Sequence, residues 1–204
     1  MMIGFSILCE PRIIKAALYS LILLVFWLVM ATAGQAATYT VNSTADSPLS
    51  SGMCDGVGTC TLRAAVQAAN ASPNTSDTQP DIINIPAGTY TLIIAGSNED
   101  QAATGDLDIT ESVTITGDTS ATTLIDGNNI DRVFHIIQTG TTSVIVAISD
   151  VTIENGHIDG GIGGGLYNNG ATVAITDSAV SNNSITNVAS PFSGASGGGT
   201  SPDG

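Results

Sequence analysis

Ten residues near the middle of this chain recur without a gap 27 positions later. AISDVTIENG (147–156) aligns on AITDSAVSNN (174–183), pairing Ala147 with Ala174, Ile148 with Ile175, Asp150 with Asp177, Ile153 with Val180 and Asn155 with Asn182. A fixed interval of about 20 to 50 residues marks stacked units that bury their apolar faces only against one another. The composition of each unit says what is stacked. From Asp81 onward the chain is a series of short β-rich runs split by Gly, Asn and Asp: DIINIPAGTYTLII, GDLDITESVTITGD, TTLIDGNNIDRVFHIIQ, SVIVAISDVTIENG and ATVAITDSAVSNN. Val113, Thr114, Ile115 and Thr116 alternate as a strand with one buried face does. No long amphipathic helix separates the runs, which disfavours an α/β crossover fold and leaves a sandwich, a barrel or a stacked coil. A sandwich offers no reason for similar turns to recur at one interval, so the expected class is all-β, a parallel β-helix or solenoid. In such a stack Asn155 and Asn182 would form a ladder at a tight turn, where Asn tolerates left-handed geometry and its amide can bond the next rung.

The glycine clusters fit that expectation. Gly160, Gly161, Gly163, Gly164 and Gly165 precede LYNNGATVAITDS, as a sharp turn opening a rung would. Gly197, Gly198 and Gly199 lead only to Asp203 and Gly204. A solenoid needs a terminal cap, so this reading expects a fragment of a longer product.

Ahead of the β-rich region stand Arg12 and Lys15, the apolar run Ala16–Met30 (AALYSLILLVFWLVM) and the small-residue exit ATAGQAA. These are the three parts of a secretory signal, with a signal helix over the apolar run and cleavage near Ala36 or Ala37. The run is 15 residues long, short of the roughly 20 that span a bilayer. Counted from Ile13 to Ala33 it lengthens, and an uncleaved membrane anchor is the alternative. Cleavage would leave Arg63 and Arg132 against 17 of the 18 carboxylates, since Glu10 leaves with the signal. So acidic a chain repels phosphate backbones and is not a nucleic-acid binder.

Cys9 would also leave, and Cys54 and Cys60 remain. In an oxidising compartment, with Gly56 and Gly58 between them, they can close a disulfide loop; the competing reading is half of a zinc site, for which no second Cys or His pair follows. Directly after them, CTLRAAVQAANA (60–71) puts Leu62, Ala65, Val66 and Ala69 on one helical face, with Thr61 as N-cap and Pro73 just beyond.

Cys60-Thr61-Leu62-Arg63-Ala64-Ala65-Val66, followed by Gln67-Ala68-Ala69-Asn70, resembles the CSLREA domain found near the N-terminus of exported bacterial proteins, and TYTVNSTADS, Cys54 and DIINIPAGTYTL match its surroundings. The resemblance covers about residues 38–92. Downstream, GGGLYNNGATVAITDSAVSNNS looks like the right-handed parallel β-helix repeats of the pectin-lyase-like superfamily, including those of polymorphic outer-membrane proteins. One departure has a physical meaning: the family's Ser and Glu stand three apart, as in a capping box, whereas Thr61 can cap here and Ala64 cannot reach back. The resemblance implies a signal at 1–37, a CSLREA-type cap at 38–80 that covers the N-terminal end of the coil, right-handed β-helix rungs at 81–190, and a Gly/Ser-rich turn or truncated rung at 191–204. It implies a secreted or cell-surface bacterial protein, outside the cytoplasm or at the outer membrane, with glycans, matrix or other cell-surface components as partners. The membrane would be met only through the signal segment or a C-terminal region not in this sequence.

The superfamily also includes polysaccharide lyases and hydrolases. Lyases of this fold use calcium held by clustered carboxylates and a basic proton acceptor, and Arg63 belongs to the cap. Arg132 lies in GNNIDRVFHI beside Asp126, Asp131 and His135, the one place where acid, base and imidazole come close in sequence. Strand alternation would put Arg132 and Phe134 on one face and Val133 and His135 on the other, so these groups are expected not to converge. Asp106 and Asp108 flank Leu107 and would share a face, either as a calcium site or as solvated carboxylates. No adjacent Asp-Asp for acid–base hydrolysis, nucleophile elbow or P-loop occurs, and Gly165 stands where a calcium-binding nonapeptide repeat needs aspartate. The expected function is a non-catalytic, adhesin-like module without a cofactor; the N-terminal part of a polysaccharide lyase or hydrolase is the alternative.

Overall fold

A computed structural model describes residues 36–72, 79–140 and 143–187. The export segment, Pro73 and the glycines at 197–199 lie outside the described residues. In chain order come β1 (Thr38–Thr40), α1 (Leu62–Asn70), β2 (Asp81–Asn84), β3 (Gly88–Thr91), β4 (Leu107–Ile109), β5 (Val113–Thr116), β6 (Thr123–Asp126), β7 (Phe134–Ile137), β8 (Ile145–Ser149), β9 (Thr152–Glu154), β10 (His157–Asp159), β11 (Leu166–Asn169), β12 (Thr172–Thr176), β13 (Ala179–Ser181) and β14 (Ser184–Thr186). The strands form four parallel sheets, ordered β1-β2-β5-β8-β12, β11-β7-β4, β13-β9-β6-β3 and β10-β14. From β4 onward successive strands enter different sheets in rotation, so each strand pairs with one from an earlier or later round rather than with its chain neighbour.

Register follows the apolar pattern. Ile83, Ile115, Ile148 and Ile175 stand in line across the first sheet, and Tyr90, Ile125, Ile153 and Val180 across another. A one-residue slip would turn each column outward, and burying each such side chain contributes about 1.5–3 kcal/mol. The columns are sealed until the last strands, where Ile175, Val180 and Ile185 are 39%, 54% and 40% exposed. The 27-residue interval recurs between Leu107 and Phe134, Val146 and Val173, Thr152 and Ala179, and His157 and Ser184. Elsewhere it stretches to 32 between Asp81 and Val113 and to 35 between Gly88 and Thr123. Strands stay in register while the turns differ in length, which is why the earlier runs resemble one another only loosely.

The turns use left-handed backbone where sequence permits it. Asn128, Asn155 and Asn182, each 27 apart, have φ of 53°, 54° and 54°. Asn155 donates its amide to Asp126 at 3.0 Å, and at the following turn the neighbour of Asn182, Asn183, accepts from Gly156 N and donates to Ile153 O. Asn155 and Asn182 thus share their backbone geometry, while the side-chain bonds to the preceding turn come from Asn155 and Asn183. Gly156 cannot be replaced there, since a Cβ would lie 2.1 Å from Gly164 O.

In α1, Thr61 caps the first turn by accepting from Ala64 N at 3.1 Å and donates to Ser47 O at 2.7 Å. Ala64 is fully buried, so a glutamate at that position would bury a carboxylate. Leu62, Ala65, Val66 and Ala69 join the core. The opposite side of the helix is covered too, because Arg63 has no exposed surface. Two polar residues of α1 close the free edge of β4. Arg63 donates to the carbonyls of Ala102, Gly105 and Asp106. The Asn70 amide donates to Asp108 O and accepts from Thr110 N, as a neighbouring strand would. An open strand edge invites pairing with other chains, and this one is occupied.

Cys54 and Cys60 are joined in a disulfide with a Cα separation of 4.5 Å. Asn42, just after β1, holds the loop by accepting from Cys60 N and donating to Gly58 O. Closing so short a loop contributes about 2 kcal/mol by restricting the unfolded chain. Reduction is expected to lower the melting temperature by about 6 °C, read by thermal denaturation with and without dithiothreitol.

Candidate functional site

Asp106, Asp108, Asp131, Arg132 and His135 come together, contrary to the expectation from strict alternation. The reason is a bulge at the start of β7. The amides of Val133 and Phe134 both donate to Gly165 O, at 3.1 and 3.0 Å, and both side chains are fully buried. Two consecutive inward residues place Arg132 and His135 on the same outer face. On that face Asp108, His135 and Tyr167 stand in register across β4, β7 and β11.

The contacts are specific. His135 Nδ1 lies 3.1 Å from Asp108 Oδ1 and 3.7 Å from Asp100 Oδ1. Its ring stacks on Tyr167 with centroids 5.0 Å apart and planes within 10°. Arg132 Nη1 bonds Asp106 Oδ2 at 3.2 Å, and its guanidinium lies 5.5 Å from the Tyr167 ring centre. Asp131 accepts from the amide of Arg132 at 2.8 Å. Gly105, at φ +59°, admits this crowding, since a Cβ would come within 2.7 Å of Asp131 Oδ2.

Asp106 and Asp108 are outward-facing yet buried, because the loop at 93–105 folds over them: Ala102 N donates to Asp108 Oδ2 at 2.7 Å. Burial and the charges of Asp108 and Asp131 push the Asp106 carboxyl up to about 8, against a smaller opposing pull from Arg132. The Arg132–Asp106 ion pair favours the ionised form, but one shared hydrogen bond does not offset desolvation and two neighbouring carboxylates. Asp108 is pushed up to about 7, chiefly by burial, while the Ala102 amide pulls it down. Burial and Arg132 lower His135 from its ordinary value.

Two carboxyls that titrate near neutrality beside an imidazole are in the range for general acid–base work. Asp100 is largely exposed and lines a cavity of about 400 Å³ together with Leu49, Gln67, Asn70, Ala71, Gln101 and Thr110. Asp100, Asp108 and His135 can also offer three ligand atoms within 4.8 Å of one another. One imidazole nitrogen and two carboxylate oxygens suit a zinc-like ion, whereas calcium takes six to eight oxygens. Of the two carboxylates read as a candidate calcium pair, Asp108 meets His135 and Asp106 meets Arg132. Asp126 stands apart, accepting from Asn128 N and Asn155 Nδ2.

Asp100 and Tyr167 were not legible as members of this group. The Asp108–His135 pair carried a signal, because the 27 residues between them equal the repeat interval, and in-register stacking puts such residues side by side.

The chain matches no family model, and no curated protein or solved structure matches it significantly. The class defined by the described residues is all-β, with parallel sheets and a single helix.

Proposed function

We propose that this chain belongs to an exported bacterial surface or secreted protein: a right-handed parallel β-helix, capped by a CSLREA-type segment, that presents polar ladders to glycans or matrix without acting on them. The rotation of strands among the sheets and the 27-residue interval support the coil; the signal pattern and the residues at 38–92 support export and the cap. One observation carries the binding role. Thr40, Asn84, Thr116, Ser149 and Thr176 stand in register on the outer face of the five-stranded sheet. Hydroxyls and an amide spaced about 4.8 Å apart form a repeating row of donors and acceptors, which suits a polymer with repeating hydroxyls.

The reading expects the mature chain to be retained on immobilised polysaccharide or matrix without cleaving it. Thr116→Ala with Ser149→Ala should weaken retention about tenfold, the worth of one or two hydrogen bonds, with the melting temperature nearly unchanged. A second reading, a polysaccharide lyase or hydrolase, is favoured by the raised carboxyls of Asp106 and Asp108 beside Arg132. Release of unsaturated or reducing-end products, abolished by Arg132→Ala, would establish it and overturn the first.

A further inference from the structure

Asp81 opens β2 with 1% of its surface exposed. Its Oδ1 accepts one hydrogen bond, from the backbone N of Ala37 at 2.6 Å. Its Oδ2 is buried and has no partner. A buried carboxylate with one neutral donor and an orphaned oxygen is under-satisfied. The donor is held firmly, since the Ala37 carbonyl accepts from Ile82 N at 2.8 Å and Thr38 pairs with Ile82 as β1 begins. Ala36, one residue earlier, is exposed, and the small residues Gly34 and Ala36 occupy the positions that an export peptidase reads before its cut.

We propose that Asp81 is the receptor for a new N-terminus at Ala37, made by hydrolysis of the Ala36–Ala37 bond. The inference rests on the export reading above. An export peptidase adds one water across that bond: the carboxylate stays on Ala36, and the amine of Ala37 takes up a proton. The resulting ammonium has three donors and a positive charge where the uncleaved peptide has one N–H, so it can serve both oxygens of Asp81. The neighbouring titratable group is Tyr39, whose hydroxyl is raised by burial and by the Asp81 charge. In the precursor Ala37 offers only its amide. β1 is already paired with β2 while the leader is attached, and its removal adds the contact that Asp81 Oδ2 lacks.

The test has two independent readouts. Intact mass of the exported protein is expected to give a chain starting at Ala37; any other start overturns the cleavage site, whatever the role of Asp81. A chain released from a fusion so that Ala37 is its first residue is then compared with the same chain acetylated at Ala37 or extended by one glycine. The free-amine chain should melt about 5 °C or more higher at pH 7, and Asp81→Asn should abolish the difference. Equal melting temperatures for the free and blocked chains would overturn the ion pair even where the mass confirms the cut.

Discussion

Arg63→Ala is expected to cost about 3–5 kcal/mol, a large fraction of the about 5–15 kcal/mol that holds an ordinary domain folded. Arg63 bonds Asp46 twice, Nε to Oδ1 at 2.6 Å and Nη2 to Oδ2 at 3.2 Å. Its other donors reach three backbone carbonyls of the segment at 102–106. Asp46 in turn accepts from the amides of Ile93 and Ile94. Truncation would strand a buried carboxylate and three carbonyls at once, because no water reaches a side chain with no exposed surface. Urea denaturation of the mature chain measures the loss. Arg63→Lys should recover less than half of it, since an ammonium cannot reproduce the planar fork. A variant within 1 kcal/mol of the parent would mean that the guanidinium is not the link between α1 and β4.

Stability is expected to fall as pH rises from about 4 to about 8, by an amount on the order of 5 kcal/mol. Asp106 and Asp108 titrate near 8 and 7 when folded, against about 4 in the unfolded chain. The folded state thus holds protons that the unfolded state releases. The contribution is fully present below the unfolded value and is lost as pH climbs through the folded ones. Glu99, Asp100 and Asp131 add to the negative potential around the pair, and Arg132 opposes it. His135, lowered by burial, works in the other direction below about pH 6.5. Asp106→Asn keeps an acceptor for Arg132 without the charge, so it should flatten the profile and raise the melting temperature at pH 8. A profile that rises from pH 5 to pH 8 would show that Arg132 holds Asp106 ionised.

The strand class and the helix were legible because they depend on local periodicity. Val113 and Ile115 alternate with Thr114 and Thr116, and Leu62, Ala65, Val66 and Ala69 repeat at helical spacing. The site was legible in pieces. Asp106, Asp108, Asp131 and Arg132 stood out by residue type, but their convergence depends on the shared acceptor at Gly165, which no alternation rule can anticipate. The depth of Asp108 comes from the loop at 93–105 folding back, a non-local event. The partner of Arg63, Asp46, lies 17 residues away, a contact that helical spacing does not reveal.

The occupied edge of β4 has a consequence for self-association. Asn70 and Arg63 block one flank of the stack, while the opposite flank shows partly uncovered Ile175, Val180 and Ile185. A chain that offers bare strand edges can be joined only where its edge is open. Self-association through strand pairing is therefore steered away from the side guarded by α1 and toward the side of β12 and β13.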